Sequence, residues 1–345
     1  MLVDGGLGFD PEKIGDHARR IEEDGYDGAW STETGHDPLL ILAQAAPHTE
    51  RLQLGTAIVV AFGRSPMITA TMANDVQLLS KGRLLLGVGS QIKPHIEKRY
   101  SMAWSHPAAR MREYVMAMRT IWASWNDGTR LDFRGDFYTH TLMTPFFSPG
   151  PNPYGAPKVF LAAVGELMTE VAGEVGDGLL VHGFTTERYL REVTLPALER
   201  GLAKGSRARG SFEVSYPGMV VTGNDEEMGR AVHAVKAQIA FYASTPAYRG
   251  VLEVHGWGNL QPELNSLSKR GEWDQMAGLV TDEMVETFAV VASPPEVAAA
   301  VRARVGDVID RFSFYVPYEL AADSWGEVLA GFGKVRPNQG RGGDR

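Results

Sequence analysis

The chain has 345 residues, 44% of them hydrophobic and 22% charged, with no cysteine and a formal net charge of -8. That composition supports a sizeable core and excludes disulfides, thiolate metal sites, iron–sulfur clusters and a cysteine nucleophile. The acidic balance argues against a nucleic-acid partner, since the basic clusters Lys98-Arg99 and Arg207-Ala208-Arg209 are too short to track a phosphate backbone.

Leu2 to Gly8 is the first expected strand, reached with no charged and apolar leader ahead of it. Asp10-Pro11 then opens a helix with Ile14, Ala18 and Ile21 on one face, and Gly25 stops it. A strand at Gly28 to Ser31 leads into the polar loop Thr32 to Asp37 and a helix from Pro38. Leu52 to Ala61 and Leu84 to Val88 are apolar without alternation, as in parallel strands buried on both faces, with Pro66 to Leu79 as the helix between them. An excursion from Gln91 to Pro107 precedes a long helix from about Ala108 to Trp125. Leu131 to Tyr138 reads as an exposed hairpin turning at Arg134-Gly135-Asp136.

Lys158 to Val164 is the fifth strand, Glu166 to Val175 its helix and Gly178 to Val181 the sixth strand. Thr186 to Ala203, Val214 to Thr222, Asp225 to Tyr242, Pro294 to Arg304 and Ile309 to Val316 continue the alternation. About eight strand and helix pairs favour one closed (β/α)8 TIM barrel over residues 1–333. Ser244 to Val280 breaks the rhythm, as an insertion spanning about 244–285, and residues 334–345 form a flexible tail. No apolar run reaches the about 20 residues that span a bilayer. A cytoplasmic protein with no membrane contact is expected.

In such folds ligands gather at the carboxyl ends of the strands. Gly87-Val88-Gly89 lacks the third glycine and the following helix of a dinucleotide fingerprint, leaving a close backbone approach to a ligand or plain tight packing. The nine histidines are scattered; His36 and His182 follow strands two and six but make no ligand set, so no metal is expected. Glu33 and His36 share the loop after strand two and offer a carboxylate and an imidazole for acid and base work, or a solvated loop in which Asp37 caps the next helix. Gly165 before the helix at Glu166 is either an anion site or an ordinary tight turn.

Taken together, LGTAIVVAFGRSP, an alanine-rich helix, GRLLLGVGSQ, AAVGE and EVGDGLLVHGF resemble the luciferase-like superfamily, in particular its branch dependent on the deazaflavin coenzyme F420. The resemblance implies the barrel with a late insertion, a cytoplasmic homodimer, and a non-proline cis peptide at Ala57-Ile58. It places the cofactor ring over Ala57 and Ile58, with Val60, Gly89, Ser90 and Gln91 along its edge. The phosphate would meet Val164, Gly165, Glu166, His182 and Gly183. Relatives that oxidise sugar phosphates carry an Asp-His pair and a Gly-Glu where this chain has Glu33-Thr34 and Gln91-Ile92. Glu33 and His36 are then the acid/base candidates, and the partner is a small or medium, largely apolar organic substrate undergoing hydride transfer. FMN with O2, in a monooxygenase, is the alternative; a cofactor-binding barrel without catalysis is another.

Overall fold

The computed structural model describes residues 1–8 and 10–334. Its strands are β1 (Leu2–Gly6), β2 (Gly28–Ser31), β3 (Gln53–Thr56), β4 (Val59–Val60), β5 (Leu84–Gly89), β6 (Phe133–Arg134), β7 (Thr139–His140), β8 (Lys158–Ala163), β9 (Gly178–Val181), β10 (Glu213–Val221), β11 (Ala289–Val291) and β12 (Arg311–Tyr315). Eight of them close a parallel ring in the order β12, β1, β2, β3, β5, β8, β9, β10 and back to β12. β4 continues the third stave against β5, β11 pairs with the upper end of β10, and β6 and β7 form a separate antiparallel hairpin.

The helices are α1 (Ile14–Glu23), α2 (Pro38–Ala45), α3 (Pro66–Leu79), α4 (Lys93–Lys98), α5 (Pro107–Asp127), α6 (Glu166–Val175), α7 (Glu187–Tyr189), α8 (Leu195–Lys204), α9 (Asp225–Ala243), α10 (Arg249–Glu253), α11 (Leu260–Arg270), α12 (Trp273–Gly278), α13 (Asp282–Phe288), α14 (Val297–Val305) and α15 (Ala322–Gly331). Their starts follow local chemistry. Asp37 accepts the amides of Leu39 and Leu40 ahead of Pro38, Ser65 that of Ile68 behind Pro66, and Asn224 with Glu227 closes a capping box. Among the described residues no helix is long and apolar enough to cross a membrane.

Alternation along the staves fills the barrel in layers. The floor is ionic: Arg311 donates to both oxygens of Asp4 at 2.7 and 2.8 Å, and to Gln53 and Glu213. Burial pushes the Asp4 carboxyl up, against the pull of Arg311 and the Trp30 indole. Above it Trp30, Leu85, Phe160 and Leu180 plug the bore, with Trp30 edge-on to Phe160 at 5.8 Å between centroids. Gly55 makes room, since a Cβ there would fall 2.2 Å from the Trp30 ring. The outward residues, such as Leu54, Leu86, Val88 and Leu161, pack under the helices, and a second core around Phe184, Ile239, Leu264 and Phe288 holds the insertion.

Several boundaries differ from expectation. The third stave is interrupted by a cis peptide at Ala57-Ile58, and Ala61 already lies in a 3-10 turn. The first helix starts at Ile14, because the Asp10 side chain takes the Glu12 amide in a turn instead of capping a helix. The hairpin pairs Phe133 with His140 because Glu113 accepts the amides of Asp136, Phe137 and Tyr138 and widens the loop. A π-helical turn, Leu190–Thr194, joins α7 to α8. The 244–285 insertion is four helices, α10 to α13, which run on to Phe288, and it hands over to β11, a strand too short to show in the pattern. Of the expected 334–345 tail, residues 335–345 lie outside the described residues.

Candidate active site

The mouth is built where the inner-face positions run out of large side chains. A Cβ on Gly89 would fall 2.3 Å from Ile58 Cδ1 and 3.4 Å from Ala162 Cβ, so these three form one closely fitted shelf. It rests on the plug, since Ala57, Ile58 and Ala162 pack against the Trp30 cluster while staying half-buried. A Cβ on Gly6, at the end of β1, would meet nothing within 4 Å. A flat ring system therefore has a floor at Ile58, Gly89 and Ala162 and open space beside it. The cis peptide lies at the bond the resemblance implied. Val60, expected at the ring's edge, is fully buried in the outer core. Ser90 and Gln91 are half-buried and bonded locally, Ser90 Oγ donating to the Gln91 carbonyl and Gln91 Oε1 accepting the Ile92 amide.

Glu33 is fully engaged. Its Oε1 lies 2.7 Å from Arg64 Nη2 and accepts the Tyr100 hydroxyl at 2.7 Å, and its Oε2 accepts the Val60 amide at 2.8 Å. Arg64 also pairs with Asp37, which caps α2 at the same time. Against the cost of burial, Glu33 and Asp37 hold the Arg64 guanidinium above its ordinary value. Burial and the bond to Glu33 push the Tyr100 hydroxyl up to about 12. With Arg99 donating to the Thr34 carbonyl, this network straps the loop after β5 to the loop after β2. His36, the second acid/base candidate, is exposed on that loop.

Val164, Gly165 and Glu166, expected at the anion end, follow β8, the strand that pairs with β5 and carries Ala162. Gly165 precedes α6 without a side-chain cap, and a Cβ there would meet nothing within 4 Å. The first-turn amides of α6 thus have no side-chain acceptor at the cap. The Glu166 side chain turns away to Arg200 on α8, leaving its amide rather than its carboxylate at the site. The Val164 carbonyl accepts the Tyr189 hydroxyl at 3.2 Å. Gly183 is buried beside Pro217 and Tyr315.

His182 belongs to an aromatic wall that the sequence analysis did not single out. Its ring lies 4.9 Å from Tyr242 and 4.6 Å from Tyr248, with Phe184 close to both tyrosines and Tyr242 bonded to Tyr315 at 2.8 Å between hydroxyls. Nδ1 accepts the Phe184 amide at 3.0 Å, and burial pushes the imidazole down to about 4, so it is neutral. Tyr315 was open to discovery, because alternation from Arg311 through Ser313 puts it on the inner face. Tyr242 and Tyr248 were not, since they reach the mouth from α9 and the start of the insertion.

Shelf, open space and uncapped helix start fit a flat tricycle with a phosphorylated side chain, which when bound supplies hydride chemistry. Among the described residues no group of three or more histidine, aspartate or glutamate side chains could hold a metal ion.

A family model described as luciferase-like monooxygenase matches residues 2–311. An uncharacterized protein of Mycobacterium tuberculosis is 56% identical over 312 residues, covering 90% of this chain and 92% of its own length. The F420-dependent glucose-6-phosphate dehydrogenase of Intrasporangium calvum is 27% identical over 312 residues, 83% of each chain. The fold is similar to that of the coenzyme F420 dependent tetrahydromethanopterin reductase of Methanopyrus kandleri, with a TM-score of 0.76, 20% identity and 97% of each chain covered.

Proposed function

This chain belongs to the luciferase-like monooxygenase family, whose members are oxidoreductases using coenzyme F420 or FMN, and from that premise we propose a deazaflavin-dependent oxidoreductase. In this reading it transfers hydride between coenzyme F420 and a small or medium, largely apolar alcohol, ketone or enone. The observation that carries it is the Ile58, Gly89 and Ala162 shelf facing open space at Gly6, with the uncapped start of α6 just after β8. The sequence likeness to an F420-dependent dehydrogenase along most of the chain favours the deazaflavin over FMN.

The chain's own residues have limited tasks in such chemistry. The shelf sets the ring's height above the Trp30 plug, the α6 amides hold the phosphate, and the Glu33–Arg64–Tyr100 strap fixes the wall of the substrate space. Glu33 acts there as a positioning residue, its two oxygens already occupied by donors. Purification from a host that makes both cofactors tests the reading. A protein carrying an absorbance band in the violet supports it, and one carrying the blue-absorbing flavin spectrum contradicts it.

A further inference from the structure

We infer that His182 is the hydrogen-bond donor for the substrate's oxygen, a neutral imidazole whose Nε2–H meets the carbonyl of a ketone or the hydroxyl oxygen of a secondary alcohol. The inference deepens the hydride-transfer reading and rests on it. A backbone N–H can only donate, so the Phe184 amide at 3.0 Å fixes the lone pair on Nδ1 and the proton on Nε2. Nε2 has no protein partner among the described residues. Leu180 in β9 packs into the plug with Trp30 and Phe160, and continuing the strand's alternation one residue past its end puts His182 on the inner face one layer higher. Tyr242, nearly perpendicular at 81°, and Tyr248 hold the ring in place.

This imidazole polarises and does not shuttle protons. Loss of the Nε2 proton would leave an imidazolate, because Nδ1 cannot take up a proton while it accepts the Phe184 amide. In the reducing direction, a bound reduced deazaflavin would supply the hydride, one of its own C–H bonds breaking as the C–H bond at the carbonyl carbon forms and the C=O π pair moves onto oxygen. The Nε2–H would hold that oxygen while water protonates it, and the hydroxide left would take up the proton that the oxidised cofactor releases. A donor set in place before charge develops stabilises the transition state more than the ground state. The resemblance placed His182 against the cofactor phosphate. With Nδ1 taken by the Phe184 amide, Nε2–H is left for one acceptor, and comparing the full coenzyme with its phosphate-free form distinguishes the phosphate from the substrate's oxygen.

The test follows the Nε2–H resonance of histidine-labelled protein loaded with coenzyme F420, with acetone and cyclohexanone as probes, beside the variants His182→Phe and His182→Gln. The expected result is a shift of that resonance by the ketones and affinities of both variants within threefold of wild type. Those affinities are measured for the full coenzyme and for its phosphate-free deazaflavin riboside. Single-turnover ketone reduction falls at least tenfold in His182→Phe and is largely restored in His182→Gln, which keeps an N–H near Nε2. An Nε2–H unmoved by either ketone overturns the inference. So does a His182→Phe protein that loses the full coenzyme while keeping the riboside, which makes His182 a phosphate ligand. A wild-type chain that binds no deazaflavin overturns the functional reading and the inference together, whereas intact binding with an unmoved resonance overturns the inference alone.

Discussion

The Glu33 carboxylate and the Arg64 guanidinium meet at 2.7 Å with side-chain exposures of only 7% and 13%, joining the loop after β2 to the turn that starts α3. Breaking so dry a pair from one side leaves a charge without its partner. Arg64→Met is therefore expected to cost about 3 kcal/mol, read as a lower urea midpoint at an unchanged slope.

Glu33→Gln keeps one acceptor oxygen for the two donors Tyr100 and Val60 and leaves Arg64 paired with Asp37 alone, so it is expected to cost about 3 kcal/mol while turnover of the folded protein stays within a few-fold of wild type. Turnover abolished in a folded Glu33→Gln protein would make Glu33 the acid or base.

Two glycines on β5 separate fold from site. A Cβ on Gly87 would fall 1.8 Å from the Thr56 carbonyl oxygen, a backbone atom that cannot yield, so Gly87→Ala is expected to cost about 3 kcal/mol or more. A Cβ on Gly89 meets the flexible end of Ile58, which can swing into the ring's space. Gly89→Ala is thus expected to keep its melting temperature within a few degrees and to lose at least tenfold in deazaflavin affinity. Calorimetry and fluorescence titration of both variants check the contrast.

Gly165→Asp probes the anion end, where a new Cβ has open space and the fold has no reason to change. A carboxylate beside the α6 amides is expected to weaken coenzyme F420 at least tenfold by competition and repulsion, and to leave the phosphate-free riboside unaffected. Equal weakening of both in a titration would place the phosphate elsewhere.

The half-buried, desolvated imidazole of His182 makes stability depend on pH with a definite sign. Its folded value of about 4 lies below the unfolded value of about 6.5, so the unfolded chain binds the proton first as pH falls. Stability is unaffected above about pH 7, declines between about 6.5 and 4, and levels off below, a loss of up to about 3 kcal/mol from this group. Urea unfolding across that window checks it. His182→Gln should flatten the decline.

The sequence exposed the barrel because parallel strands buried on both faces leave apolar runs, as at Leu84 to Val88, and because caps such as Asp37-Pro38 and Ser65-Pro66 are local. Of the shelf, Gly89 stood out as a close backbone approach at a strand exit, Ile58 came only from the family resemblance, and Ala162 was not singled out. The sequence hid what depends on distant pairing. Glu33 looked like a free carboxylate because Arg64 and Tyr100 lie 31 and 67 positions further along the chain. The wall around His182 draws Tyr242, Tyr248 and Tyr315 from three separate segments, and no period links them. The strand Ala289–Val291 escaped because three residues cannot display a pattern.

The central claim, a deazaflavin held on the Ile58, Gly89 and Ala162 shelf, is tested most directly by titrating the apo-protein separately with coenzyme F420 and FMN. The account predicts saturable binding of coenzyme F420, at least tenfold tighter than any binding of FMN and weakened by Gly89→Ala. Tight FMN binding with none of the deazaflavin would contradict it.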